Sequence, residues 1–415
     1  MSPTPRAAGL LVIAALSALV IPPWLAAGLC LAIVAAVVAD AWPARHLPDL
    51  ERRVPRSLAR GVPAEMSVTA DGGAASRLSV RQPAPPDVRI EPQENPNPLR
   101  ATITVMRRGR HRLEPAATKN QGPLGLGAWY HRAGTGDELI VYPDLPAARR
   151  LAVAVRQGRF AEEGRRSRGP LGLGTDLERI RDYQPDDDIR QVNWRATARR
   201  GSPMSNQWRV EQDREIICLI DSGRLMSAPI GDRTRLDAAV DAVAAISAVA
   251  DEIGDRVGVV AFDRTIRRQL SPRRAGGVAV VAAIFDLEPT LDESDYALAF
   301  QTVASAKRSL IIVQTDLLDS AAARPLLEAT RILSRRHAVV VASILDDDLQ
   351  QQVETPAANL AEAYRTVAAL TVLEERAEVA RQLRGTGVEV VEAPLRLLSS
   401  ACVGAYLRAR SRARL

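Results

Sequence analysis

The chain has 415 residues, 47% of them hydrophobic, which exceeds one ordinary domain and excludes wholesale disorder. Its net charge of +6 rests on 55 basic residues interleaved with 49 acidic ones, and aromatics are only 4%, so nucleic-acid binding is not expected. Three scattered cysteines, Cys30, Cys218 and Cys402, make neither a disulfide framework nor a metal site, and they fit a reducing compartment.

The first 46 residues predict a transmembrane helical hairpin. Its arms are about 7–21 and 24–39, each near the ~20 residues a bilayer core demands. Pro22 and Pro23 break the helix where a turn is needed, and Trp24 suits the headgroup zone. A signal peptide fits less well, because a second apolar arm follows the first directly. Arg6 precedes the hairpin and Arg45, Arg52, Arg53, Arg56 and Arg60 follow it, while the turn carries no charge. By the positive-inside rule the soluble region then faces the cytoplasm from the cytoplasmic membrane.

Residues 47–148 alternate short apolar runs with Gly and Pro, which predicts a small β-sandwich-like domain. Residues 149–212 are polar and arginine-rich and read as a linker. The hexapeptide GPLGLG occurs at Gly122–Gly127 and again at Gly169–Gly174; neither copy completes a dinucleotide fingerprint, and turns feeding strands are expected. Residues 213–415 alternate continuous apolar strands (REIICLID, RVGVVAFD, SLIIVQTD, HAVVVASIL, GVEVVEA) with helices, which predicts an α/β domain with a doubly wound, mainly parallel sheet.

In such sheets ligands bind beyond the carboxyl ends of the strands, and here Asp221, Asp263 and Asp316 occupy those ends. The arrangement resembles the von Willebrand factor A fold, whose metal loop reads Asp-x-Ser-x-Ser. The loop here is Asp221-Ser222-Gly223-Arg224-Leu225, so both hydroxyl positions are lost. What remains for a metal is Asp221 and Asp316, with Thr290 as a further oxygen. A hard divalent ion wants about six oxygens, so tight Mg²⁺ binding is not expected. Arg224 is the candidate to replace the ion by pairing internally with Asp221 or Asp316.

No Walker loop, zinc-protease motif, nucleophile elbow or cysteine–histidine pair occurs, and His46, His111, His131 and His337 are solitary, so no catalytic residue and no cofactor site are assigned. The runs Asp186–Asp188 and Asp346–Asp348 could form a hydrolytic pair; solvated helix caps are the simpler expectation.

The stretch Leu177–Asp221 strongly resembles the signature of the domain of unknown function 58 family, at Arg181, Tyr183, Pro185, Asp187, Asp188, Arg190, Val192, Asn193, Trp194, Ala196, Ala198 and Arg199. Asp186 stands where the family often has glycine. The resemblance implies a membrane-anchored protein with a von Willebrand A-like domain, and a chaperone-like partnership with a MoxR-type AAA+ ATPase. Two roles for the signature follow. Tyr183 and Trp194 bury in a structural collar with locally paired charges, or the motif is an interface. The resulting expectation is a non-enzymatic membrane adaptor, with a metal-dependent ligand-binding protein and a hydrolase using the acid loops as alternatives.

Overall fold

The computed structural model describes residues 1–71, 77–160, 176–184, 192–209, 214–317 and 320–411. The protein is mixed α/β with several sheets and divides into two units, Met1–Tyr142 and Pro143–Leu415.

The first unit opens with a two-residue strand β1 (Ser2–Pro3) and helix α1 (Pro5–Leu16), N-capped by Thr4, whose hydroxyl accepts from the Ala7 amide. A 3₁₀ turn, Ser17–Leu19, leads to α2 (Pro23–Ala41), which starts on proline where a missing N–H costs nothing. Among the described residues α2 is the one helix long and apolar enough to cross a membrane; at 1.5 Å per residue it approaches the ~30 Å hydrocarbon thickness. The apolar segment is thus present as expected, but its first arm is a short helix ending at Leu16.

Eleven further strands follow: β2 (Asp49–Arg53), β3 (Ser57–Ala59), β4 (Ala64–Asp71), β5 (Arg77–Arg81), β6 (Val88–Glu91), β7 (Glu94–Pro96), β8 (Leu99–Val105), β9 (Gly109–Leu113), β10 (Ala116–Gln121), β11 (Gly127–Ala133) and β12 (Asp137–Tyr142). They form sheets ordered β1-β11-β10-β5-β7, β2-β4-β8-β6 and β3-β12-β9. Every pairing is antiparallel except β3 with β12. Alternation decides the faces: Met66, Val68 and Ala70 of β4 and Leu99, Ala101, Ile103 and Val105 of β8 point into one core, and the residues between them point away.

The first GPLGLG copy is the turn between β10 and β11, and it grips α2. The Asp40 carboxylate, 5% exposed in the last turn of α2, accepts the amides of Leu124 (2.7 Å), Leu126 (2.7 Å) and Gly127 (2.9 Å). A Cβ on Gly122 would fall 1.9 Å from the Asp40 carbonyl oxygen, and one on Gly127 2.5 Å from that of Val37. Glycine is therefore required for close approach of backbone to helix. The second copy, Gly169–Gly174, lies outside the described residues.

The second unit begins with α3 (Leu145–Arg156), then β13 (Asp176–Asp182), α4 (Trp194–Arg200) and β14 (Met204–Arg209), with β13 and β14 paired antiparallel. The stretch 149–212 is thus more than a linker: Ala152 and Val155 of α3 enter the α/β core, as does Ala148 of the same helix, just before the stretch. The alternating elements then run β15 (Glu215–Asp221), the short pair β16 (Pro229–Ile230) and β17 (Arg233–Thr234), α5 (Arg235–Ile253), β18 (Arg256–Phe262), β19 (Ile266–Arg273), α6 (Gly277–Ile284), α7 (Tyr296–Ala304) and β20 (Leu310–Gln314). They continue with α8 (Ser320–Leu333), β21 (Ala338–Leu345), α9 (Asp347–Glu354), α10 (Leu360–Gly385), β22 (Glu389–Pro394) and α11 (Leu398–Ser411).

The main sheet is ordered β19-β18-β15-β20-β21-β22, parallel except for the edge strand β19. The central strands β15, β18, β20 and β21 are buried on both faces, so they read as continuous apolar runs. Ile216, Cys218 and Ile220 face α3, α5, α6 and α11, while Ile217 and Leu219 face α7, α8 and α10. Strand order reverses across β15, with β18 on one side and β20 on the other. In open α/β sheets such a reversal places the candidate ligand crevice at the carboxyl ends of the two flanking strands, here β15 and β20.

Candidate functional site

Asp221 closes β15 and Asp316 follows β20 by two residues, so the two carboxylates flank the crevice. Both are buried, at 1% and 6% exposure. Each is satisfied separately.

Asp221 Oδ1 accepts the Gly223 amide (2.9 Å) and the Ser294 hydroxyl (2.5 Å); Oδ2 accepts Tyr296 Oη (2.8 Å) and Thr315 Oγ1 (2.7 Å). Four donors fill the four lone-pair positions of one carboxylate. Burial, then the Asp221 charge, pushes the Tyr296 phenol well above its usual range, so it stays protonated and donates. Gly223 has a steric reason. A Cβ there would lie 2.1 Å from Ser294 Oγ and 2.8 Å from the Asp292 carbonyl oxygen. A hydroxyl missing from the β15 loop is supplied instead by Ser294, from the loop just before α7.

Asp316 is held by two guanidiniums. Arg376 Nη1 donates to its Oδ1 at 2.7 Å and Arg235 Nη1 at 3.1 Å, with the Leu317 amide (3.0 Å) and the Ser343 hydroxyl (3.2 Å) on the same oxygen. Both arginines are buried, at 2% and 6% exposure. Arg376 also donates to Ser343 Oγ and the Ile344 carbonyl, and Arg235 reaches Asp346 at 3.3 Å. The internal pair expected for Arg224 is therefore made by other residues. Arg224 is exposed and forks onto Glu293 (3.0 and 2.7 Å). It starts a 3₁₀ turn on the rim, whereas Arg235 and Arg376 project from helices packed on the sheet.

Thr290 does not join Asp221 or Asp316. Its hydroxyl binds Asp263 Oδ2 at 3.1 Å, and Asp263 also accepts from Thr265 and pairs with Arg267 at 3.4 Å. These residues do not fit a divalent cation. The lone pairs of Asp221 face hydroxyl and amide donors, and two cations already occupy Asp316. No group of three or more His, Cys, Asp or Glu side chains able to hold a metal occurs among the described residues.

The acid run at Asp346–Asp348 forms a cap: Asp346 accepts the Asp348 amide at the start of α9, and Asp347 and Asp348 lie in its first turn, where carboxylates suit the helix dipole. Asp186–Asp188 lie outside the described residues, as do Pro185 and Arg190 of the signature. The rest of the signature is the β13–α4–β14 segment. Tyr183 is half-buried and its amide donates to the Pro203 carbonyl. Asn193 caps α4 by accepting the Ala196 amide, while its own amide reaches Asn206. Arg181 is half-buried on β13 and Arg199 is exposed at the end of α4. Burial of Trp194 is not met: it is 69% exposed, because it opens a seven-residue helix with no buried residue.

α10 carries a second surface. Leu360, Tyr364, Val367 and Leu370 are exposed at helical spacing, while Ala369, Arg376, Val379, Ala380 and Leu383 are buried on the opposite face.

Arg235, Arg376, Ser294, Tyr296, Thr315 and Ser343 are not among the residues expected from the sequence. Arg376 had a legible signal: it stands in register with Val379, Ala380 and Leu383 on an apolar face, where an arginine needs a buried partner. Ser294 had none, being 73 residues from the carboxylate it binds.

Residues 179–368 match the profile of the family described as "Protein of unknown function DUF58". An uncharacterized protein of Mycobacterium bovis and two of Mycobacterium tuberculosis strains are each 25% identical over 241 residues, covering 53% of this chain and 74% of the relative. Among solved structures, the SrpA adhesin of Streptococcus sanguinis aligns at 12% identity over 25% of this chain and 62% of that chain, with a TM-score of 0.16, too low to bear on the fold. Over residues 179–368 this chain is similar to the DUF58 family, whose function is unknown.

Proposed function

We propose that this chain is a non-enzymatic, membrane-anchored adaptor whose von Willebrand A-like α/β unit works with a MoxR-type AAA+ ATPase. The observation that carries the reading is the exposed apolar face of α10, where Leu360 is 73%, Tyr364 69% and Val367 61% exposed. Anchors at i, i+4 and i+7 on one helix face are the spacing with which a helix docks into a partner's groove. Consumption of Asp221 and Asp316 by internal donors supports a role in binding rather than catalysis. The parallel sheet with acids beside its order reversal supports the von Willebrand A-like assignment. A two-pass hairpin draws support from β1 and Asp40, which tie the start of α1 and the end of α2 to the same strand, β11. The basic flanks at Arg6 and Arg45–Arg60 favour a cytoplasmic soluble region. The ATPase is the partner that the family resemblance implies.

The test is co-purification of the detergent-solubilised full chain with the MoxR-type ATPase of the same organism. Tyr364→Asp with Val367→Asp abolishes association while the unfolding midpoint stays unchanged. Undiminished association of that variant, or none by the wild type, overturns the reading.

A further inference from the structure

Two cations converge at the foot of the apolar helices. A Cβ placed on Gly125 would lie 3.7 Å from Arg6 Nη1 and 3.8 Å from Arg77 Nη1, so both guanidiniums crowd the apex of one loop. Both side chains are exposed, and neither has an acidic partner among the described residues. Like charges held this close repel, and an anion with several oxygens relieves the repulsion by accepting from both forks.

The loop fixes their depth. The Leu124 amide donates to Asp40 in the last turn of α2, and Thr4, just before α1, grips the loop from the other side through the Gly125 and Leu126 carbonyls. The loop therefore stands level with the ends of both helices. Its outward residues are Pro123 and Leu124, the latter 67% exposed despite being a large apolar side chain. Trp42 and Arg45, stacked at 4.0 Å, follow directly after α2. With α2 crossing the bilayer, that level is the boundary between acyl chains and headgroups, where aromatic and basic residues concentrate. An exposed leucine beside two uncompensated guanidiniums matches the lipid at that boundary: hydrocarbon next to a phosphodiester. A zwitterionic headgroup brings its own ammonium into competition; an anionic one does not.

We propose that Arg6 and Arg77, with the exposed Leu124 of the Gly122–Gly127 loop, form a headgroup site for an anionic phospholipid. The site rests on the membrane-anchor reading given above. It also gives the loop a purpose beyond turning the chain, because the Asp40 clasp holds the two cations at headgroup level.

The test uses the full chain in detergent, titrated with phosphatidylglycerol, phosphatidylcholine or inorganic phosphate while thermal unfolding is followed. Phosphatidylglycerol raises the midpoint, and the other two do not. With both arginines lost in Arg6→Gln/Arg77→Gln, the half-saturating phosphatidylglycerol concentration rises about thirtyfold, since each basic residue near an anionic surface contributes about 1 kcal/mol. Leu124→Ser weakens the response in part. Each variant is referred to its own midpoint in phosphatidylcholine, so a change in basal stability does not mask the result. An equal response to phosphatidylcholine, an equal response to inorganic phosphate, or a response that survives the double substitution overturns the site. Flotation of the wild type on neutral phosphatidylcholine vesicles separates the two readings. Failure to float sinks the anchor, whereas flotation without a phosphatidylglycerol-specific shift sinks only the headgroup site.

Discussion

Replacing Arg376 with methionine removes one of the two guanidiniums on Asp316 while nearly preserving side-chain length. The lost bonds are to Asp316 Oδ1 (2.7 Å), Ser343 Oγ (3.0 Å) and the Ile344 carbonyl (2.6 Å), all buried. Removing one partner of a buried pair costs about 3–5 kcal/mol. Asp316 keeps Arg235, the Leu317 amide and the Ser343 hydroxyl, so the lower end applies, about 3 kcal/mol. Equilibrium urea unfolding reads that loss directly, and it corresponds to a midpoint drop of roughly 6–12 °C in a unit of this size. Internal satisfaction of both carboxylates also fixes the response to metal. A site with a dissociation constant near 100 µM would add about 2.7 kcal/mol at about 10 mM Mg²⁺, but with Asp221 and Asp316 internally satisfied the midpoint does not move. A loss below about 0.5 kcal/mol in Arg376→Met, as at an ordinary surface position, or a clear Mg²⁺-induced rise in the wild type, refutes the argument.

Tyr296→Phe deletes the phenol that donates to Asp221 at 2.8 Å and meets Thr315, and destabilises the α/β unit by about 1.5–3 kcal/mol, read by urea titration. His337 is 4% exposed, and burial followed by the Arg336 charge lowers its pKa from 6.5. The unfolded chain therefore binds the proton more readily. This contribution is complete above pH 6.5 and is lost as pH falls below it, so His337→Gln flattens that part of the stability–pH curve. Burial pushes the Cys402 thiol up to about 12 and the Cys218 thiol higher still, so both resist alkylation at pH 8 in the native protein and react on unfolding. Rapid native alkylation of either would contradict their burial.

Features that depend on local pattern are legible without coordinates. Continuous apolar runs such as Glu215–Asp221 and Leu310–Gln314 mark strands buried on both faces, and the apolar stretch ending at Ala41 marks a helix of membrane-spanning length. The signature at Arg181–Arg199 lies within residues 179–368, the stretch that matches the family profile. Degeneracy of the Asp221 loop was equally plain, because losing two hydroxyls is a fact of composition. What replaces them is set by contacts between residues far apart in the chain. Ser294 and Thr315 meet Asp221 because their loops converge on one crevice, and Arg235 and Arg376 meet Asp316 because α5 and α10 cover opposite faces of the sheet. Arg224, the neighbour in sequence, points instead to Glu293 on the rim. A carboxylate in a low-dielectric crevice takes its partners by distance in space, and sequence separation carries no information about that distance.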